Sequence, residues 1–154
     1  MVFVLAFVFS TRNLKAQAED IDLFVNAGIL TGDEFKFDPF TWSGGVNLDV
    51  HLTGKFMLSP ECNVIFQEFE FKNMWLAPGV ILNAKFDLFF AGAGISKWFK
   101  LAGNVGTTKL QLKINAGFRS AKYRVTVYLE SPLDGDLFFK KNSVIFGATI
   151  GMAF

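Results

Sequence analysis

Asp49, His51, Glu61, Lys85, Lys113, Arg124 and Glu130 are ionisable residues set inside apolar stretches. Leu48 and Val50 flank Asp49, Leu112 and Ile114 flank Lys113, and Tyr123 and Val125 flank Arg124. Each charge therefore leaves an extended chain on the face opposite its apolar neighbours. Charges gathered on one face of a closed sheet must pair, because desolvation would otherwise dominate their energy. The spacing predicts that Asp49 and Glu61 face Lys113 and Arg124 across a narrow interior as a lumen charge network. Such a network fills and stabilises an interior; a rearranging one would gate small ions. The net charge of +1 supplies no large single-sign excess for ion selectivity.

Other chemistries find few supports. His51 is the only histidine, and Ser43 and Ser59 share its face without a spacing that defines a Ser-His-acid set. One His and one Cys do not build a common zinc site, so no metal is expected. No phosphate loop is present, and Gly92-Ala93-Gly94 lies in an extended stretch with no helix after it. No cofactor and no enzymatic activity are expected. Cys62 is alone, which rules out an intrachain disulfide and reads as a small apolar residue. No basic face suggests a nucleic-acid partner.

The elements that position these residues repeat one pattern. Although 51% of the residues are hydrophobic, they alternate with small or polar ones. Eight such segments can be read: Ile21 to Ile29, Trp42 to Leu52, Phe56 to Gln67, Trp75 to Phe86, Leu88 to Trp98, Leu110 to Phe118, Tyr123 to Glu130, and Asn142 to Phe154. Short turns are expected near Gly54, Asp87 and Ser120, with Arg119 to Lys122 forming the third. Longer connections follow the first, third, fifth and seventh segments. Pro60 and Pro78 remove ladder donors, which predicts bulges or early strand ends. The last segment is expected to pair with the first and close the sheet.

The apolar run Met1 to Phe9 is too short to span a bilayer as a helix. Ala16-Gln17-Ala18 follows it as a small-x-small cleavage site. Residues 1–18 therefore read as a secretory signal peptide and residues 19–154 as one barrel domain. Arg12 and Lys15 follow the apolar run instead of preceding it, as a start site lying upstream would explain.

The polar face carries many Gly, Ser, Thr, Asn and Ala residues, which suit a crowded interior. The apolar face carries essentially no charge, as lipid requires, since Arg or Lys at mid-bilayer costs about 2–4 kcal/mol. Phe40, Trp42, Phe66, Trp75, Phe86, Trp98, Phe118, Tyr123 and Phe154 fall at segment ends, where an interfacial aromatic belt would lie. Phe beside charge recurs in the longer connections, at Phe35, Phe69, Phe71, Phe138 and Phe139. The expected fold class is all-β, an eight-stranded antiparallel up-and-down transmembrane β-barrel.

In its alternating segments, its leader and its aromatic last strand, the chain resembles the small outer-membrane β-barrels of Gram-negative bacteria, the OmpA-like and OmpX-like group. Leu58-Ser59-Pro60-Glu61 and Ala77-Pro78-Gly79-Val80 also look like strand starts common in such barrels. The resemblance implies a cell outer membrane location with both barrel termini periplasmic. It implies contact with outer-membrane lipid and lipopolysaccharide, and a monomer. It also implies that Phe146, Ile150, Met152 and Phe154 carry an assembly signal read by the outer-membrane assembly machinery. Some eight-stranded barrels are lipid A acylases or deacylases with a catalytic Ser and His near the outer leaflet; His51 is expected at the opposite end. The expected role is structural or surface-interacting, with the lumen plugged by paired charges. The alternatives are a narrow ion-conducting pore and a secreted soluble lipid-binding barrel.

Overall fold

Alternation of apolar and small polar residues builds strands with two unlike faces, and such strands close on themselves when each face can meet one environment. In the computed structural model, which describes residues 21–31, 41–67, 73–102, 106–136, 138–140 and 143–154, this closure is complete. The expected leader and Phe40 lie outside the described residues, as do most of the charged and aromatic positions of the first two longer connections.

The strands are β1 (Ile21–Leu30), β2 (Thr41–His51), β3 (Phe56–Gln67), β4 (Met74–Phe86), β5 (Phe89–Ser96), β6 (Phe99–Lys100), β7 (Gln111–Arg119), β8 (Tyr123–Pro132) and β9 (Ile145–Ala153). Each full strand pairs antiparallel with its sequence neighbours, β5 pairing with β7, and β9 returns to β1 through Phe24↔Ala153 to Leu30↔Gly147. The two-residue β6 pairs with the start of β4, in the register already set between β4 and β5. It continues the fifth strand, so the barrel has eight staves. The fold is an eight-stranded antiparallel up-and-down barrel of the transmembrane type.

Pro60 and Pro78 act differently from the sequence expectation. Each described ladder keeps one register, and both strands run through their prolines. Pairing of β2 with β3 lapses only opposite Pro60, between Asn47↔Glu61 and Val50↔Leu58. Pro78 still accepts from the Lys97 N–H at 3.1 Å but has no N–H to return. The fifth strand therefore breaks at Lys97–Trp98, which separates β5 from β6.

The connections at one end are short. Residues 52–55 link β2 to β3, Asp87 and Leu88 link β4 to β5, and residues 120–122 link β7 to β8. Asp87 takes φ 60°, a left-handed conformation that Asp tolerates in tight turns. This is the turn end; the opposite, loop end carries the longer connections. Arg119 was expected in a turn but is the last residue of β7, paired with Arg124.

Leu23, Val25, Leu48, Leu82, Ile114, Val127, Ile150 and Met152 are exposed outward. Phe24, Asn47, Asp49, Ser59, Asn83, Lys113, Arg124 and Glu130 are buried inward. The apolar outer face departs from a soluble lipid-binding barrel, which turns its apolar face inward. Val144, in outward phase with Phe146 and Ala148, precedes β9 and is buried.

Phe56, Phe86, Phe89, Phe118, Tyr123 and Phe154 form an exposed aromatic ring around the turn end. The Phe89 and Phe118 rings meet edge to face at 6.0 Å. Trp75 and Trp98 do not belong to an outer belt. They turn into the loop end of the lumen and pack on Leu30, Ile65, Ala77 and Tyr128. Gly147 opposes Tyr128 across the β8–β9 ladder and lets the phenol ring lie directly on the backbone, a place a Cβ would occupy.

Candidate functional site: a polar lumen between two unlike ends

The inward charges come from different strands, brought to shared depths by the register and tilt of the barrel. Toward the loop end, β7 delivers Lys113, β3 delivers Glu61 and β8 delivers Glu130. Lys113 Nζ lies 2.5 Å from Glu61 Oε1 and 3.0 Å from Glu130 Oε1. The same ammonium sits 3.8 Å from the centre of the Tyr128 ring. Trp98 donates from Nε1 to Glu130 Oε2 at 2.9 Å. Two carboxylates thus share one buried ammonium, and an indole and a phenol ring seal them from above.

Toward the turn end, Asp49 is fully buried and organises a second group. Its Oδ1 accepts from Arg124 and, at 2.8 Å, from Ser59 Oγ, which accepts from Asn83 Nδ2 at 2.8 Å. Its Oδ2 accepts from Arg119 Nε at 3.1 Å. Arg119 also pairs with Asp22, at the start of β1. Asp22 Oδ2 lies 3.2 Å from His51 Nε2, and Lys85 Nζ lies 3.0 Å from His51 Nδ1. Arg124 is stacked over the Phe90 ring at 4.4 Å.

The four residues singled out for the lumen therefore meet as two pairs, Glu61 with Lys113 and Asp49 with Arg124. They lie in separate groups at different depths. Between the groups lies a void of about 20 Å³, lined by Asn26, Asn47, Glu61, Asn63, Thr126 and Thr149 among others. That is room for about one water. At the turn end the lumen opens into a cavity of about 380 Å³ lined by Asp22, His51, Thr53, Gly54, Lys85 and Arg119 together with Ala121.

The N-terminal β-barrel domain of Pseudomonas aeruginosa OprF, known from a crystal structure, is similar, with TM-score 0.54 and 12% identity over 86% of this chain and 97% of that one. The de novo designed protein TMB2.3, solved by solution NMR, is similar with TM-score 0.50 and 14% identity over 88% of this chain and 94% of that one. The chain has the fold of the small eight-stranded outer-membrane barrels. At these identities the likeness is one of fold. No protein-family model and no curated protein matches the chain.

In this barrel the residues least visible in the sequence are Arg119, Asp22, Trp98 and Tyr128. Arg119 follows Lys113, Asn115 and Gly117 at even spacing, so extending the alternation by one step would have found it. Trp98 follows Ser96 on the inward phase, a signal obscured by its place at a strand end. Ser43, the other hydroxyl on the His51 face, lies at the loop end of β2, whereas His51 closes the turn end. Ser59 donates to Asp49 and His51 contacts Asp22, so the structure brings neither serine to the histidine. Among the described residues no group of three or more His, Cys, Asp or Glu side chains could hold a metal ion.

Phe146, Ile150, Met152 and Phe154 share the outer face of the last strand, with Phe154 85% exposed. The Phe154 N–H donates to the Leu23 carbonyl at 3.1 Å, so the chain's last residue still belongs to the β1 seam.

Proposed function

We propose that this protein spans the outer membrane of a Gram-negative cell as a closed barrel with a structural or surface-interaction role and no enzymatic activity. One observation carries the reading: the exposed face is apolar around the whole circumference while the buried interior is polar and charged. Water-soluble proteins rarely expose contiguous apolar patches beyond a few hundred Å². A bilayer satisfies that face, and closure of the ladder leaves no open sheet edge within it.

In the proposed orientation the turn end and both barrel termini face the periplasm, because short turns lie there in such barrels. Residues 1–18 are removed as a signal peptide. The assembly machinery reads Phe146, Ile150, Met152 and Phe154, whose outward exposure leaves them available. The outer belt contacts lipid and lipopolysaccharide, and the barrel acts as a monomer. Paired charges plug the lumen, supported by the 20 Å³ void that remains between them.

Fractionation and conductance test the reading together. The mature chain is expected in the outer-membrane fraction, and Ile114→Arg is expected to prevent insertion, since Ile114 is 41% exposed on the outer face. Recovery in the soluble periplasm would overturn membrane residence. Planar bilayers containing the barrel are expected to stay silent. Resolved channel events that vanish in Glu61→Ala would replace the plugged barrel with a narrow pore.

A further inference from the structure

We propose that the turn-end cavity binds a small oxyanion, phosphate or carboxylate, held by Lys85 and Arg119 and received by Thr53. The inference deepens the reading of the lumen, but it does not depend on which membrane holds the barrel.

Asp22 and Asp49 stand against Arg119, Arg124 and Lys85, which leaves at least one cation in excess before His51 is counted. An ammonium can only donate, so Lys85 donates to His51 Nδ1, while His51 Nε2 lies 3.2 Å from Asp22 Oδ2 and 3.1 Å from an Arg119 terminal nitrogen. Asp22 and Asp49 are already engaged by the two arginines. Among the described residues Lys85 has no carboxylate within ion-pair distance; its stated partner is an imidazole. A lysine ammonium has three donors, and this contact uses one.

The remaining donors converge on open space. Lys85, Arg119 and Thr53 all line the 380 Å³ cavity. Arg119 spends Nε on Asp49 and one terminal nitrogen on Asp22, which leaves its other terminal nitrogen to donate. Thr53 Oγ1 accepts from the backbone N–H groups of Lys55 at 3.2 Å and Phe56 at 3.1 Å. Neither contact uses its hydroxyl proton, which is left to donate. A Cβ built on Gly54 would meet nothing within 4 Å, so the turn beside the cavity is uncrowded. An oxygen-rich anion takes donors of this kind best, because hydrogen bonds between an ammonium or guanidinium and a charged oxygen are roughly twice as strong as neutral ones. Asp22 lies on the same wall and opposes the anion, which restrains affinity and makes its own removal informative.

The test is a titration of the mature chain, refolded in micelles, with inorganic phosphate and separately with acetate at constant ionic strength. Backbone amide NMR shifts are followed. Saturable shifts at Thr53, Gly54 and Lys85 are expected for at least one anion. Saturation by phosphate alone assigns a phosphate source, and saturation by acetate assigns a carboxylate. Lys85→Gln is expected to weaken binding about tenfold, Lys85→Arg to retain it, and Asp22→Asn to tighten it. Refolding of each variant is checked by its gel mobility with and without heating. Shifts that never saturate, or that persist unchanged in Lys85→Gln, would overturn the site. Neither result bears on fractionation of the barrel, so the two readings fail separately.

Discussion

The two ends of the lumen solve the same problem in opposite ways. At the loop end, Leu30, Ile65, Ala77 and Tyr128 pack with Trp75, Trp98 and Ile145 into an apolar stopper. Directly beneath it Lys113 and Glu130 are each only 3% exposed. At the turn end the ion pairs are graded toward water: Asp49 is fully buried, Arg119 is 16% exposed and Asp22 is 41% exposed. The difference teaches that charge inside a barrel is held in two regimes. Under the stopper an ion pair is obligatory, because its members are withdrawn from bulk water. At the open rim each pair competes with solvent and contributes little.

Lys113→Met is expected to break this comparison most visibly. It leaves Glu61 and Glu130 together without a cation, at a cost of about 3–5 kcal/mol, read as a lower urea midpoint for the barrel in lipid vesicles. Arg124→Met is expected to cost less, because Arg119 still holds Asp49. An equal loss in the two variants would mean that the Asp49 group has no reserve.

Trp98→Phe keeps the ring in the stopper but removes the bond to Glu130. A loss of about 1.5–3 kcal/mol is expected for a hydrogen bond to a charged group, measured in the same unfolding series. At the rim, Asp22→Asn is expected to cost under about 1 kcal/mol, because Asp22 is 41% exposed. Salt sharpens the contrast further. A double-mutant cycle on Asp22 and Arg119 should shrink between low and high salt, while one on Glu61 and Lys113 should not. Equal salt sensitivity would dissolve the distinction between the two ends.

The staves were legible because period-two alternation depends only on neighbouring residues. Ile114 outward and Lys113 inward follow directly from Leu112 to Ala116. In the glycine-rich fifth stave the same alternation holds, with Ala91, Ala93 and Ile95 outward and Ser96 inward. What the sequence concealed was depth. Whether Glu61 meets Lys113 or Arg124 depends on the stagger between strands 52 residues apart in the chain, which no local pattern encodes. Arg119 and Asp22 are 97 residues apart, and both sit at strand ends, where boundaries are least certain. Position alone places Trp75 and Trp98 in an outer belt, because an aromatic at a strand end suits a lipid interface as well as a lumen stopper. Only their shared inward phase, and the edge-to-face contact at 6.5 Å, distinguishes the two.

The seam between β1 and β9 has a consequence for how the protein comes into being. Every other seam joins strands close in the chain, whereas this one brings together its two distant extremes. Seven seams can zip locally, but the cylinder is complete only when the final strand arrives. Until then β1 waits with a row of backbone donors and acceptors that no later neighbour except β9 can take. Closing so large a loop carries the greatest entropic delay of any pairing in the molecule. The waiting edge is the part of the nascent protein most exposed to mispairing with another chain, and the speed with which the last strand reaches it decides between a barrel and an aggregate.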